Sequence, residues 1–158
     1  RTQTRFSQWV LACSQFRQEY GFYPALGTGN RIATPEDTVA LIRMLTGRNP
    51  DGSAVTDLAT LGGNFRRIAF LSLAESDLRD GQLADAFGNT DIGVMWDVDG
   101  DGLVRPGIDG VAVAVSAAGG EAMPPPIGIL PLSGVRAGVV FYTAGRGESI
   151  DDLVFSWR

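Results

Sequence analysis

From Gln3 to Tyr20 the residues Phe6, Trp9, Cys13, Phe16 and Tyr20 recur at steps of three and four, with Val10 beside them and Gln8, Gln15, Gln18 and Glu19 between. That spacing draws one apolar stripe along a helix and demands a broad surface to cover it. Gly21 stops the helix and Pro24 reinforces the stop. The stripe reads first as core, with Phe6, Trp9, Val10, Cys13, Phe16 and Tyr20 seating the helix on a sheet; the alternative is a partner-binding face. With no cap at its start, the helix is expected to continue upstream of Arg1.

A second helix is announced by Thr34-Pro35-Glu36-Asp37, which combines an N-cap hydroxyl, a proline at the first helical position and acids in the first turn. Val39, Leu41, Ile42 and Leu45 form its expected buried stripe, and Gly47 ends it. Residues 47–53 carry turn chemistry, Ala54 to Gly63 reads as loop, and Phe65 to Leu73 as a short extended or irregular piece before the polar stretch Ala74 to Gly81. After Gly88 the period becomes extended. Ile92 to Trp96 predicts a strand, Asp97 to Gly102 a turn, and Leu103-Val104 the start of a return strand. Gly110 to Ala117 alternates valine and alanine like a strand, the three prolines at 124–126 mark a surface loop, Gly138 to Thr143 is the strongest strand, and Leu153 to Trp157 a final short one. Helices first and antiparallel strands later predict an α+β fold. The expected organisation is a single domain over 1–158: the helix at 1–20, a helix and loop region at 21–84, and a sheet region at 85–158.

The 158 residues carry a net charge of -5, which argues against a nucleic-acid partner, because phosphate binding requires concentrated positive charge. All 13 cations are Arg, and there is neither Lys nor His. Imidazole bases, Ser-His and Cys-His pairs, the phosphate-loop lysine and imidazole metal ligands are therefore excluded. What survives is paired-carboxylate chemistry or an oxygen-ligated ion. The single cysteine, Cys13, reads as a small apolar residue rather than a reactive thiol. No run of about 18 apolar residues is present, so no membrane span is expected in this stretch. Gly27-Thr28-Gly29-Asn30 follows a helix and lacks a third glycine, so it is not a dinucleotide fingerprint.

Asp97, Asp99 and Asp101 fill positions one, three and five of a calcium loop, with Gly102 at six. Position nine is Arg105 and position twelve is Ile108, so an EF-hand is not completed. Two readings stand: a solvated turn using Asp and Gly for their backbone tolerance, or a partial oxygen cage for calcium finished by other segments. Glu148, Asp151 and Asp152 form a second acidic loop, with Asp151 and Asp152 as further candidate metal ligands and an acidic solvent loop as the plainer reading. Two of these carboxylates acting as a glycosidase pair is a further alternative.

Several segments together resemble the type IV pilin-like proteins, specifically the major pseudopilins of type II secretion. A Y-G-x-Y-P segment after the first helix is matched by Tyr20-Gly21-Phe22-Tyr23-Pro24, and L-x-x-x-L-T-G-x-N-P by Leu41 to Pro50. An N-x-R-x-I-x-F-L segment resembles Asn64 to Leu71, and D-P-W-G-N-P-Y is similar to Asp85 to Asp91, without its prolines and closing tyrosine and with Phe87 for tryptophan. An Asp- and Gly-rich hairpin turn resembles Asp97 to Gly102. Near the end, Phe141-Tyr142, Gly145-Arg146-Gly147 and Asp151-Asp152 to Ser156-Trp157 resemble an aromatic strand, a G-x-D-G loop lacking its aspartate, and D-D-I-x-S-W with one extra residue. Ser116 to Gly134 looks like an insertion.

The resemblance implies a pilin-like fold: a long N-terminal helix whose apolar first half is embedded in the inner membrane and whose second half packs on an antiparallel sheet, with a second short helix. It implies a non-enzymatic structural subunit on the periplasmic side of the bacterial cell envelope. Its partners would be copies of itself, other pseudopilins and the secretion machinery, with calcium as a candidate ion. Arg1, Arg5 and Gln8 are then expected to face neighbouring subunits. The rival readings are an extracellular calcium-dependent binding module and a carboxylate-dependent hydrolase.

Overall fold

The computed structural model describes residues 1–24 and 30–157, so residues 27–29 of the glycine-bearing turn lie outside the described residues. Helix α1 spans Thr2–Tyr20, and Gly21 closes it in a left-handed conformation with its N–H donating to the Arg17 carbonyl. Strand β1 is Arg31–Ile32 and helix α2 is Pro35–Thr46. Short strands β2, Leu78–Arg79, and β3, Gln82–Leu83, form a hairpin. Then come β4, Ile92–Trp96; β5, Leu103–Val104; β6, Val135–Arg136; β7, Val139–Thr143; and β8, Val154–Phe155. The main sheet is antiparallel, with order β1-β4-β7-β8, while β2-β3 and β5-β6 are separate pairs. Helices with an antiparallel sheet make an α+β architecture.

The sheet is buried on both faces, which is why every residue of β7 is buried. On one face lie Val139 and Phe141 with Phe6, Trp9, Cys13 and Phe16 of α1 and Leu41 and Leu45 of α2. Val10 and Tyr20 pack at the margin of that cluster, half-buried. The Phe141 ring is 6.2 Å from Phe6 and 5.4 Å from Trp9, close enough for aromatic pairing to add to simple burial. The opposite face carries Met95 and Val140, packed with Val104 and Leu130, and Tyr142, packed with Val115 and Leu153. The covering layer here is the stretch between β5 and β6, which contains almost no regular structure.

Helix α2 begins with a reciprocal cap: Asp37 N–H donates to Thr34 Oγ1 at 3.1 Å and Thr34 N–H donates to Asp37 Oδ2 at 3.1 Å. Its buried face differs from the apolar count, since Val39 is half-buried whereas Thr38 and Met44 are buried. Thr38 turns inward because its hydroxyl accepts the Leu83 N–H at 2.9 Å, so a polar side chain replaces an apolar one at a position pairing β3 to the helix.

Two other expectations are corrected, and one segment gains an element. Leu103-Val104 does not return along β4 but pairs with Val135-Arg136, because both edges of β4 are already occupied by β1 and β7. Gly110 to Ala117 forms no strand beyond a single bridge from Val115 to Met123. Its carbonyls are instead taken by side chains, with Asn30 Nδ2 donating to Val111 O, Tyr142 Oη to Val113 O, and Arg31 to Ala114 O. The polar stretch Ala74 to Gly81, for which no element is predicted, holds β2 and the turn of the β2-β3 hairpin, with Asp80 and Gly81 at φ 52° and 77°. Asp-Gly is a strong signal for such a turn, but strands of two residues leave no alternation to read.

This packing is open to two measurements. Gly93 pairs with Tyr142 across β4 and β7, and a Cβ there would lie 2.2 Å from the Tyr142 ring. Gly93→Ala is therefore expected to destabilise by about 1–3 kcal/mol in chemical denaturation, despite alanine being the less flexible residue. Cys13 is fully buried, and burial pushes its thiol well above the ordinary range. It is expected to stay silent to a thiol reagent at pH 8 in the native protein and to react fully only in denaturant.

Candidate functional site

The acidic turn leaves β4 at Asp97, which is buried and whose N–H bonds the Gly138 carbonyl at 2.8 Å. Its Oδ1 accepts the N–H groups of Gly100 at 3.0 Å and Asp101 at 3.2 Å, and its Oδ2 that of Gly102 at 2.8 Å. The carboxylate thus shapes the turn, and Gly100 and Gly102 take the positive φ angles of 74° and 84° that the turn requires. Asp109, also buried, braces the far side, its Oδ1 accepting from Val98 N–H at 2.9 Å and its Oδ2 from Arg105 N–H at 2.7 Å.

Oxygens of Asp97, Asp99 and Asp109 lie within 4.8 Å of one another. Spacing in the sequence points to Asp97, Asp99 and Asp101; the fold replaces Asp101 with Asp109, one position beyond the calcium pattern's closing place at Ile108. Asp101 turns to Arg105, whose guanidinium contacts it and also lies 3.3 Å from Asp99 Oδ2. Partial desolvation, followed by a hydrogen bond shared with Asp97, raises the Asp99 carboxyl above its ordinary range. The Leu103 N–H, helped by Arg105, lowers that of Asp101. Asp97 Oδ2 and both oxygens of Asp109 accept one backbone bond each and keep a lone pair beyond it, so with Asp99 they suit calcium's preference for oxygen. Arg105 already supplies positive charge there, and a cation fits only if that guanidinium leaves Asp99. A cleft of about 500 Å³ beside the turn is lined by Arg17, Phe22, Tyr23, Trp96, Asp97 and Asp99. Arg17 stacks over Tyr23 at 4.8 Å within it.

The second acidic loop is organised differently. Asp152 Oδ2 accepts the N–H groups of Glu148 and Ser149, both at 3.1 Å, and so caps the short 3-10 turn Ile150–Asp152. Asp151 and Glu148 are exposed. These side chains form no group of metal-ligating oxygens with the Asp97 turn, and Asp151 and Asp152 are not among the carboxylates that converge.

Two buried polar hubs fall outside the sequence candidates. Asp85 Oδ1 accepts from Phe87 N–H and Asn89 N–H, and its Oδ2 from Asn89 Nδ2 at 2.9 Å and Thr143 Oγ1 at 2.7 Å. Asn89 Nδ2 reaches on to Gly145 O at 2.6 Å, so this hub ties the approach to β4 to the exit of β7. Asn64 Nδ2 donates to Met44 O and Ile68 O, each at 2.9 Å, while its Oδ1 accepts Tyr20 Oη at 2.6 Å and Ile68 N–H at 3.0 Å. It fastens the ends of α1 and α2 to one loop. The signal available for both was their place in the D-x-x-G-N and N-x-R-x-I segments.

Along α1, Arg1 and Gln8 are exposed. Arg5 is turned inward: its Nε lies 2.9 Å from Asp77 Oδ1, and its guanidinium also donates to Ala84 O. The expectation that Arg5 faces a neighbour is therefore corrected, because two partners on its own chain hold it. No family model matches the chain, and neither a curated protein nor a solved structure shows significant similarity to it.

Arg105→Gln removes the cation that touches Asp99 and Asp101 while leaving the backbone bonds of Asp97 and Asp109 in place. The variant is expected to melt a few degrees lower in chelator and to regain the loss on adding millimolar calcium, with the parent responding less. Equal calcium responses of parent and variant would show that Arg105 is not the competing charge.

Proposed function

We propose that this domain is a structural subunit of a pseudopilus or type IV pilus-like filament, acting in protein secretion by assembling through its N-terminal helix. In this reading the domain works on the periplasmic side of the bacterial inner membrane, in which an apolar extension of the helix anchors the full-length chain. Its partners are copies of itself, other pseudopilins and the secretion machinery. No helix among the described residues is long and apolar enough to cross a membrane, so the anchor in this reading belongs to sequence outside them.

The observation that carries the reading is the two-faced character of α1. Phe6, Trp9, Ala12, Cys13 and Phe16 are buried on the inner side. The exposed positions Gln3, Thr4, Ser7, Gln8, Leu11, Ser14, Gln15 and Gln18 are uncharged, and the one charged exposed residue of the helix, Glu19, lies in its last turn and is paired with Arg66. A neutral face packs against other copies without desolvating ions, and interface centres are depleted in charge for that reason. Further support comes from the segments that resemble pseudopilins, since Asn64 and Asp85 within them are buried hydrogen-bonding hubs of the fold. A second reading, an extracellular calcium-dependent binding module, draws on the convergence of Asp97, Asp99 and Asp109.

The test is to place charge on the neutral face. Gln8→Glu combined with Leu11→Glu alters exposed positions only, so the isolated domain is expected to keep its melting temperature. In cells carrying the full-length chain and its secretion system, sheared filaments and secreted cargo are expected to fall about tenfold or more, because like charges brought together at an interface cost several kcal/mol. Undiminished filaments in the variant, or no filaments from the parent under any expression level, would defeat the reading.

A further inference from the structure

The two ends of α1 carry features that match each other. At the far end, Phe65 is 72% exposed, the largest exposure of any aromatic side chain among the described residues. It is nevertheless held in place. Asn64 before it is buried and fully bonded, the Phe65 N–H donates to Gly63 O at 2.8 Å, and the Phe65 ring meets Tyr20 at 6.4 Å. Arg66 and Arg67 follow, both exposed; Arg66 is paired with Glu19 yet keeps 65% of its side chain in solvent, and Arg67 gives one hydrogen bond to Val55 O at 3.2 Å. A rigidly presented aromatic residue beside arginines is the composition of an interface anchor.

At the opposite end, about 28 Å away along a helix of 19 residues rising about 1.5 Å each, lies an apolar groove of about 750 Å³. It is lined by Phe87, Ile129, Ile150, Leu153 and Phe155, with Asp151 and Arg1 as its charged members. The same loop carries exposed Glu148 and half-buried Asp152 beside Asp151, against one exposed cation, Arg146. One pole thus presents an aromatic knob with Arg66, Arg67 and a single acid, Glu19, and the other an apolar groove whose three acids, Glu148, Asp151 and Asp152, outnumber Arg1 and Arg146.

We propose that copies of this chain associate head to tail, with Phe65 of one copy seated in the groove at the start of α1 of the next and Arg66 and Arg67 facing Asp151 and Glu148. The occupant of the groove is a second copy because the charge at one pole complements that at the other. The two surfaces are different and lie on opposite ends, so the contact is heterologous and does not close on itself. This inference rests on the reading of the chain as a polymerising subunit, and it names the surfaces that meet.

The test is sedimentation of the isolated domain and of two single variants at exposed positions, Phe65→Ala and Asp151→Arg, which disable the knob and the groove respectively. The parent is expected to form oligomers that grow with concentration, and each variant alone to associate about tenfold more weakly or less still. A mixture of the two variants is expected to regain dimers and grow no further, because the intact knob of one meets the intact groove of the other. A parent that stays monomeric at millimolar concentration, a variant that associates like the parent, or a mixture that associates no more than the separate variants would overturn the proposal. This readout is independent of the neutral face of α1, so failure of the pole-to-pole contact and failure of the filament reading are told apart.

Discussion

The contact between α1 and β7 organises the molecule. Phe6 and Trp9 stand against Phe141, with Val139, Cys13 and Phe16 completing the seal. Burying three aromatic rings at one crossing removes a large apolar area from water and fixes how the helix is rotated about its axis. That rotation decides everything outside: once Phe6, Trp9, Cys13 and Phe16 point inward, the glutamines and serines between them must point outward. The exposed neutral face, on which the proposed assembly depends, is a consequence of the seal rather than a separate feature.

A sheet of four strands, only two of which have five residues, offers few ladder bonds to hold this contact. Side chains make up the shortfall. Asp85 and Asn89 join the entry of β4 to the end of β7, Asn64 joins the two helices, and Thr38 joins α2 to β3. Each is buried and hydrogen-bonded, which is the condition under which a buried polar group stabilises a unique arrangement instead of opposing folding. The irregular layer on the other face follows the same rule. Asn30, Arg31 and Tyr142 donate to carbonyls that a strand partner would otherwise satisfy.

The acidic turn combines these themes. Asp97 and Asp109 direct their oxygens to backbone N–H groups, and Arg105 lies against Asp99 and Asp101. The aspartates whose spacing suggests calcium are therefore stabilised in large part by the chain itself. Calcium and Arg105 are alternatives at this place, because both answer the same excess of negative charge.

By itself the sequence determined the elements with strong periodicity or punctuation. The 3.6-residue stripe of α1, the Thr34–Asp37 cap of α2, and the apolar runs of β4 and β7 are local signals, and local sterics and burial are enough to produce them. Mixed helix and antiparallel sheet was legible for the same reason. Tertiary structure decided which segments pair. It gave β4 to β1 and β7, sent Leu103-Val104 to Val135-Arg136, left Gly110 to Ala117 without a ladder, turned Arg5 toward Asp77 and exchanged Asp101 for Asp109 in the carboxylate cluster. These choices depend on partners far apart in the chain, and periodicity carries no information about which partner is available once the strand edges have been taken.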